Sequence, residues 1–203
     1  MTALPGYIES VIRPGIFGEV EEGAWIEPGR VRLEEGSRVE RGAIVRGPTI
    51  IGRNSTVRSG AYIRGHVLTG ENCLIGSHVE VRQVLMLDHS KISHGNCIFT
   101  SLVGNRVNIG GHSSTANLRL DSHEIILKIE HNGQTHRYAT GLNLLGAIVG
   151  DDTKIGGMVM MQPGTILGRR CIIHPQCAPL GFIPDDSIVR PAASTLEVVQ
   201  RPS

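Results

Sequence analysis

Residues 49–87 read TIIGRNSTVRSGAYIRGHVLTGENCLIGSHVEVRQVLML. Stepping by six from Ile51 gives Val57, Ile63, Thr69, Ile75, Val81 and Leu87. Stepping backward gives Val45, Val39 and Leu33, so nine of these ten positions are aliphatic. Two residues before each stand small or apolar side chains: Val31, Ser37, Ala43, Thr49, Ser55, Ala61, Val67, Cys73, Val79 and Leu85. A period of six with two inward residues is neither helical nor plain strand alternation. It predicts an all-β chain, a parallel β-helix of hexapeptide repeats with three short strands per coil. Three positions after the aliphatic residue the chain must turn sharply. Gly36, Gly42, Asn54, Gly60, Asn72 and Gly164 stand there, residue types that tolerate φ > 0.

Working outward, the count resumes at Val149, Ile155, Met161, Leu167 and Ile173. Between the two runs lies Lys91–Asp121, where steps of five fall from Leu87 to Ile92 and from Ile98 to Val103. Polar groups with chemical capacity gather there: His94, Asn96, Cys97, Asn108, His112, Asn117 and Arg119. Slips of this kind re-aim side chains, as bulges do. After Asn117, Ile125, Leu127 and Ile129 alternate with other residues and Asn132-Gly133 follows. That predicts a hairpin with a type I′ turn, inserted as an arm over about 118–144. Residues 1–19 read as a lead-in capping or covering the first coil. Residues 20–183 read as the β-helix domain, with Phe182–Val189 closing its end, and 184–203 as a C-terminal strand and tail.

Composition agrees with thin layers of small residues. Aromatics are 3% of the 203 residues, and glycines number 26. Net charge is +1, so bulk charge favours neither nucleic acid nor an anionic membrane. The four cysteines have no metal-finger spacing, and Cys171 and Cys177 fall on inward positions of successive faces. Met1–Gly6 has no signal-peptide pattern, and no apolar run approaches the ~18 residues of a membrane span. A cytoplasmic location is expected.

The repeat resembles that of the hexapeptide acyltransferase superfamily, which implies a left-handed parallel β-helix. Within it, A-Y-I-R-G (61–65), H-V-E-V-R (78–82), K-I-S-H (91–94), V-N-I-G (107–110), T-A-N-L-R-L-D (115–121) and L-G-A-I-V-G-D-D (145–152) resemble one branch. This is the C-terminal acetyltransferase domain of bifunctional sugar-1-phosphate nucleotidylyltransferase/acetyltransferases, of the N-acetylglucosamine-1-phosphate uridyltransferase type, without the nucleotidylyltransferase domain. The resemblance implies acetyl-CoA as cosubstrate and an amino-sugar 1-phosphate, or a related sugar nucleotide, as acceptor. It implies His94 as catalytic base, Arg64 and Arg82 as phosphate clamp, and Asn108 and Asn117 as groups orienting the sugar. Gly110 and Gly111 would lie near the thioester. It also implies a homotrimer with sites between subunits and the arm as contact to the neighbour.

The chain departs from that family at four points. Arg82 replaces a lysine, and Cys97 stands where the family has tyrosine. Residues 141–144 read GLNL where the relatives are basic, and His112 replaces a small residue. These departures motivate a second reading, a catalytically weakened binding or regulatory subunit. His89 and His94 also resemble the H-x4-H of γ-class carbonic anhydrases, a third reading. There the third zinc ligand would fall at Arg53, so no metal is expected.

Overall fold

The computed structural model describes residues 1–192 except Asn132. Three columns of short parallel strands make the faces of a prism. The first face stacks Gly15–Ile16, Val31–Leu33, Thr49–Ile51, Val67–Thr69, Glu80–Met86, Cys97–Val103, Ala147–Val149, Thr165–Leu167 and Phe182–Ile183. The second runs from Glu19–Val20 to Ile188–Val189. The third includes Trp25–Ile26, Ile44–Val45, Tyr62–Ile63, Ser114–Thr115 and Met160–Met161. The N-terminal ends of Glu80–Met86 and Cys97–Val103 complete it.

The six-residue count sets this geometry. Val31 pairs Thr49 and Thr49 pairs Val67, so one coil takes eighteen residues and like stacks on like. The inward aliphatics (Leu33, Ile51, Ile63, Ile75, Ile98, Ile109, Ile155, Leu167) are buried to 2% or less. Each such side chain contributes roughly 1.5–3 kcal/mol by leaving water. Inward hydroxyls tie neighbouring coils together. Ser90 Oγ donates to Gly104 O (2.6 Å) and accepts from Val107 N (2.9 Å); Ser113 Oγ does the same with Gly156 O and Val159 N. This satisfies polar groups that would otherwise be costly to bury. The six turn residues singled out above, Gly36, Gly42, Asn54, Gly60, Asn72 and Gly164, all have positive φ.

Four expectations need correction. The first five-residue step does not lie between Leu87 and Ile92. Val84 and Met86 are buried while Leu85 and Leu87 face outward, so the short step runs from Val81 to Met86. It is made by Gln83 in the left-handed region (φ 54°). The second, from Ile98 to Val103, is as expected, with Thr100 at φ 46°. The lead-in forms a helix, Ala3–Val11, that lies along the prism instead of across its end. Leu4 and Ile8 are buried, Glu9 meets Arg30 (4.0 Å) and His66 (3.7 Å), and Gln83 Nε2 donates to Met1 O (3.1 Å). The coils begin at Gly15–Ile16, ahead of Val20. Phe182–Ile183 and Ile188–Val189 extend the first and second faces, so this segment is a further coil and not a lid.

The arm is a two-stranded antiparallel hairpin, Ile126–His131 with Gln134–Ala139. Gly133 has φ 72°, while Asn132, the other residue of the expected type I′ turn, lies outside the described residues. The arm's base folds back on its own chain. Ile125 is buried, and a Cβ at Gly164 would come within 2.6 Å of its Cγ2. Leu118 bridges Leu144, and Leu145 N donates to Asn117 O (2.9 Å). The tail at 193–203 lies outside the described residues.

Candidate functional site

The third face divides the expected site residues between its two edges. The corner that enters it carries Ser77-His78, His94-Gly95 and Gly111-His112 in successive coils: Gly95 N donates to Ser77 O and His112 N to His94 O. The corner that leaves it carries Arg64, then Arg82, then Phe99. Asn117 follows at the base of the arm.

His94 is exposed, and its imidazole lies against the next coil. Gly111 makes room for it, since a Cβ there would stand 2.6 Å from Nε2 and 2.9 Å from Cδ2. His112 lies over Gly95 in the opposite sense, 2.7 Å from where a Cβ would be. The two rings meet edge to face, centroids 5.6 Å apart at 76°. The next glycine differs. Gly110 N donates to Ile155 O (2.8 Å), and a Cβ on it would meet the backbone of Gly156 at 2.6 Å. Its N–H is therefore committed to the ladder, and Gly111 is the glycine that borders His94.

At the leaving corner Arg64 Nη1 donates to Glu80 Oε1 (2.7 Å), whereas Arg82 is exposed and has no carboxylate partner among the described residues. Cys97 is half-buried on the face between the two corners. Burial pushes its thiol pKa up; the Glu80 carboxylate adds to this and a hydrogen bond with Ser114 opposes it. Asn117 Nδ2 donates to Thr100 Oγ1 (3.2 Å), bracing the left-handed threonine. Asn108 stands on the second face, paired with Lys91 below and Lys154 above. One chain thus brings Arg64 and Arg82 together, and His94 to Gly111, but does not join these two groups.

His89 and His94 sit at corners on either side of the strand Lys91–Ile92, which separates their side chains. Among the described residues no group of three or more His, Cys, Asp or Glu is disposed to hold a metal ion. A groove of about 390 Å³ opens beside the leaving corner under the arm, lined by Ala116, Leu118, Leu120, Gln162, Pro163 and Leu180. The GLNL segment meets one residue of this lining: Leu144 bridges Leu118, while Gly141 N donates to Glu124 Oε1 (2.6 Å). No described helix is long and apolar enough to cross a membrane.

Comparison with known proteins matches this architecture. A family profile described as the GMPPB C-terminal domain covers residues 45–131, and one described as the hexapeptide repeat of succinyl-transferase covers 146–174. The solved structure of a UDP-N-acetylglucosamine acyltransferase overlays 85% of this chain and 67% of its own with a TM-score of 0.55 at 14% identity, a likeness of fold. The chain is a hexapeptide-repeat β-helix, and its fold is that of the left-handed parallel β-helix. Among curated relatives of this hexapeptide-repeat chain is the bifunctional sugar-1-phosphate nucleotidylyltransferase/acetyltransferase of Sulfurisphaera tokodaii. It is 32% identical over 159 residues, 78% of this chain and 38% of the relative. The bifunctional protein GlmU of Methanococcus maripaludis is 32% identical over 114 residues, 56% of this chain and 26% of the relative. The chain therefore spans about a quarter to two fifths of these relatives' length.

Sequence reasoning missed two features of the site. One is Thr100, a β-branched residue held at φ 46°. The other is Arg46, which precedes Arg64 by the same eighteen residues that separate Arg64 from Arg82. Carrying that spacing one coil back would have found it.

Proposed function

We propose that this chain is an acetyl-CoA-dependent N-acetyltransferase acting on an amino-sugar 1-phosphate or a related sugar nucleotide. The observation that carries the reading is His94, an exposed imidazole in a notch bordered by Gly111 and braced by His112. The names of the Sulfurisphaera and Methanococcus relatives support the reaction class. In the reaction the acceptor amine attacks the thioester carbonyl and forms the C–N bond. His94, acting as general base, takes the N–H proton. The tetrahedral oxyanion collapses, the C–S bond breaks, and the CoA thiolate leaves and takes up a proton. Arg82 and Arg64 hold the acceptor's phosphate, Arg64 exchanging or sharing Glu80. Asn108 and Asn117 orient the sugar, and the Gly110-Gly111 segment borders the thioester.

Arg64 and Arg82 lie across the third face from His94, so a site using both edges is completed by a neighbouring protomer. A homotrimer with the arm at its contacts meets that need. The test is thiol release from acetyl-CoA with glucosamine 1-phosphate, on wild type and His94→Ala, with mass from light scattering. Loss of turnover in an intact assembly is expected. Unchanged turnover in His94→Ala refutes the base.

A second reading, a binding subunit with weakened catalysis, draws on Cys97 and on the commitment of Asn117 to Thr100 and of Arg64 to Glu80. Acetyl-CoA binding without thiol release from any amino-sugar phosphate would favour it.

A further inference from the structure

The arginine column does not stop at Arg64. Val45 pairs Ile63 and Ile63 pairs Val81, so Arg46, Arg64 and Arg82 follow equivalent rungs of one corner, about 4.8 Å apart. All three are exposed. Their carboxylate neighbours are few. Glu80 pairs with Arg64, and Glu27 accepts Gly47 N (2.9 Å) and lies 3.7 Å from Arg30. Arg46 has no carboxylate partner among the described residues. Its guanidinium lies over two aromatic rings, 6.0 Å from the Trp25 centroid and 5.8 Å from that of Tyr62. Trp25 is 47% exposed, on a chain with 3% aromatic residues. A chain of net charge +1 thus concentrates three guanidinium groups on one edge and sets scarce aromatic rings beside them.

We propose that Arg46, Trp25 and Tyr62 form a subsite for a nucleoside diphosphate, which extends the acceptor site from Arg82 toward the N-terminal coils. Adjacent phosphates lie along the arginine column, which offers a planar donor at each rung. The base lies on the exposed indole face, where aromatic stacking tolerates any base. The acceptor class is then a nucleotide-linked amino sugar rather than a free sugar 1-phosphate. This rests on the acyltransferase reading for its reaction, but the binding is independent of it.

Trp25 is the single tryptophan, so its emission reports directly on the subsite. The wild-type chain is titrated with UDP, GDP, inorganic pyrophosphate and coenzyme A, and the titrations are repeated on Arg46→Ala, Arg46→Lys and Tyr62→Ala. Expected are saturable quenching by UDP or GDP and competition by pyrophosphate without quenching. Affinity should weaken about tenfold or more in Arg46→Ala, the loss of a charge-assisted contact. Arg46→Lys keeps the charge without the planar fork and should recover part of it. Absence of saturable quenching at millimolar nucleotide overturns the proposal. So does a lowered melting temperature in Arg46→Ala with nucleotide affinity unchanged, which would make the cluster a purely structural stack. Quenching by coenzyme A but not by UDP or GDP assigns the subsite to the donor and also overturns it. Thiol release with glucosamine 1-phosphate, measured in parallel, separates the two readings. Nucleotide binding without acyl transfer leaves the subsite and removes the activity. Transfer without nucleotide binding does the reverse.

Discussion

Adding one methyl group to Gly111 should disable His94 without disturbing the β-helix. The new Cβ would stand 2.6 Å from His94 Nε2, closer than any carbon can remain. The backbone at Gly111 is not in the left-handed region, so alanine fits its conformation. The contact is the far end of an exposed side chain, which can swing away, so the cost in stability is small, about 1 kcal/mol or less. Displacing a catalytic imidazole by about 1 Å can cost on the order of 10²-fold in rate. Gly111→Ala should therefore lower kcat about a hundredfold in the thiol-release assay, with KM for the acceptor little changed and the melting temperature within a few degrees of wild type. Gly110→Ala supplies the contrast. Its Cβ would meet the backbone of Gly156 at 2.6 Å, which cannot swing, so two coils must separate and stability falls by roughly 1–3 kcal/mol. Wild-type kcat in a folded Gly111→Ala protein would refute both the notch and the assignment of His94.

Ile98→Ala, at a position with no exposed surface, should cost about 2–5 kcal/mol, read as a fall in the urea midpoint. Acid should weaken the coils that follow the arm. Arg106, Arg169 and Arg170 hold Asp152, Asp185 and Asp186 below the usual carboxylate range. Their contribution is complete above the unfolded value of about 3.9 and fades as pH drops below it, so the melting temperature should fall beneath pH ~4 and less so in Arg170→Ala. Cys97, its thiol raised by burial, should alkylate slowly with iodoacetamide at pH 7 and faster above pH ~9, with Glu80→Gln speeding the reaction. A fast reaction at neutral pH would contradict that environment.

The core was legible because every inward position repeats. Leu33, Val39, Val45 and Ile51 announce themselves by count alone, and from Gly36 to Asn72 the turn glycines and asparagines mark two of every eighteen residues. The misplaced step at Leu87 shows where counting fails. Leu85 and Leu87 are as apolar as Val84 and Met86, so composition cannot decide which pair faces in. Only the left-handed Gln83, a residue with no turn preference in the sequence, settles it. The N-terminal helix was hidden differently. Pro5 and Gly6 argue against a helix, yet proline is tolerated in a first turn, and burial of Leu4 and Ile8 against the prism decides the matter. The corner positions of His94 and Arg64 were readable from the count of coils. The notch was not, because it depends on Gly111 lying one coil beyond His94.

A β-helix constrains where it can become irregular. Within a strand, one added or lost residue would turn every inward side chain outward, so changes in length belong at corners. This chain has three corners per coil, and its major irregularities share one of them. The shortened turn at Gln83, the shortened turn at Thr100 and the arm beginning near Asn117 all fall where the third face passes to the first. The same corner carries Arg46, Arg64, Arg82 and Phe99 and opens onto the groove under the arm. Thr100 is the informative case. A β-branched residue in the left-handed region is strained, and such strain persists only where surrounding contacts fix it. Asn117 and the Gly146 N–H, which donates to Thr100 O (2.9 Å), supply those contacts. The base of the arm thus holds a strained turn directly beside the last rung of the arginine column. Regular corners keep the coils in register, and the one irregular corner is where the fold can vary its surface without losing its core.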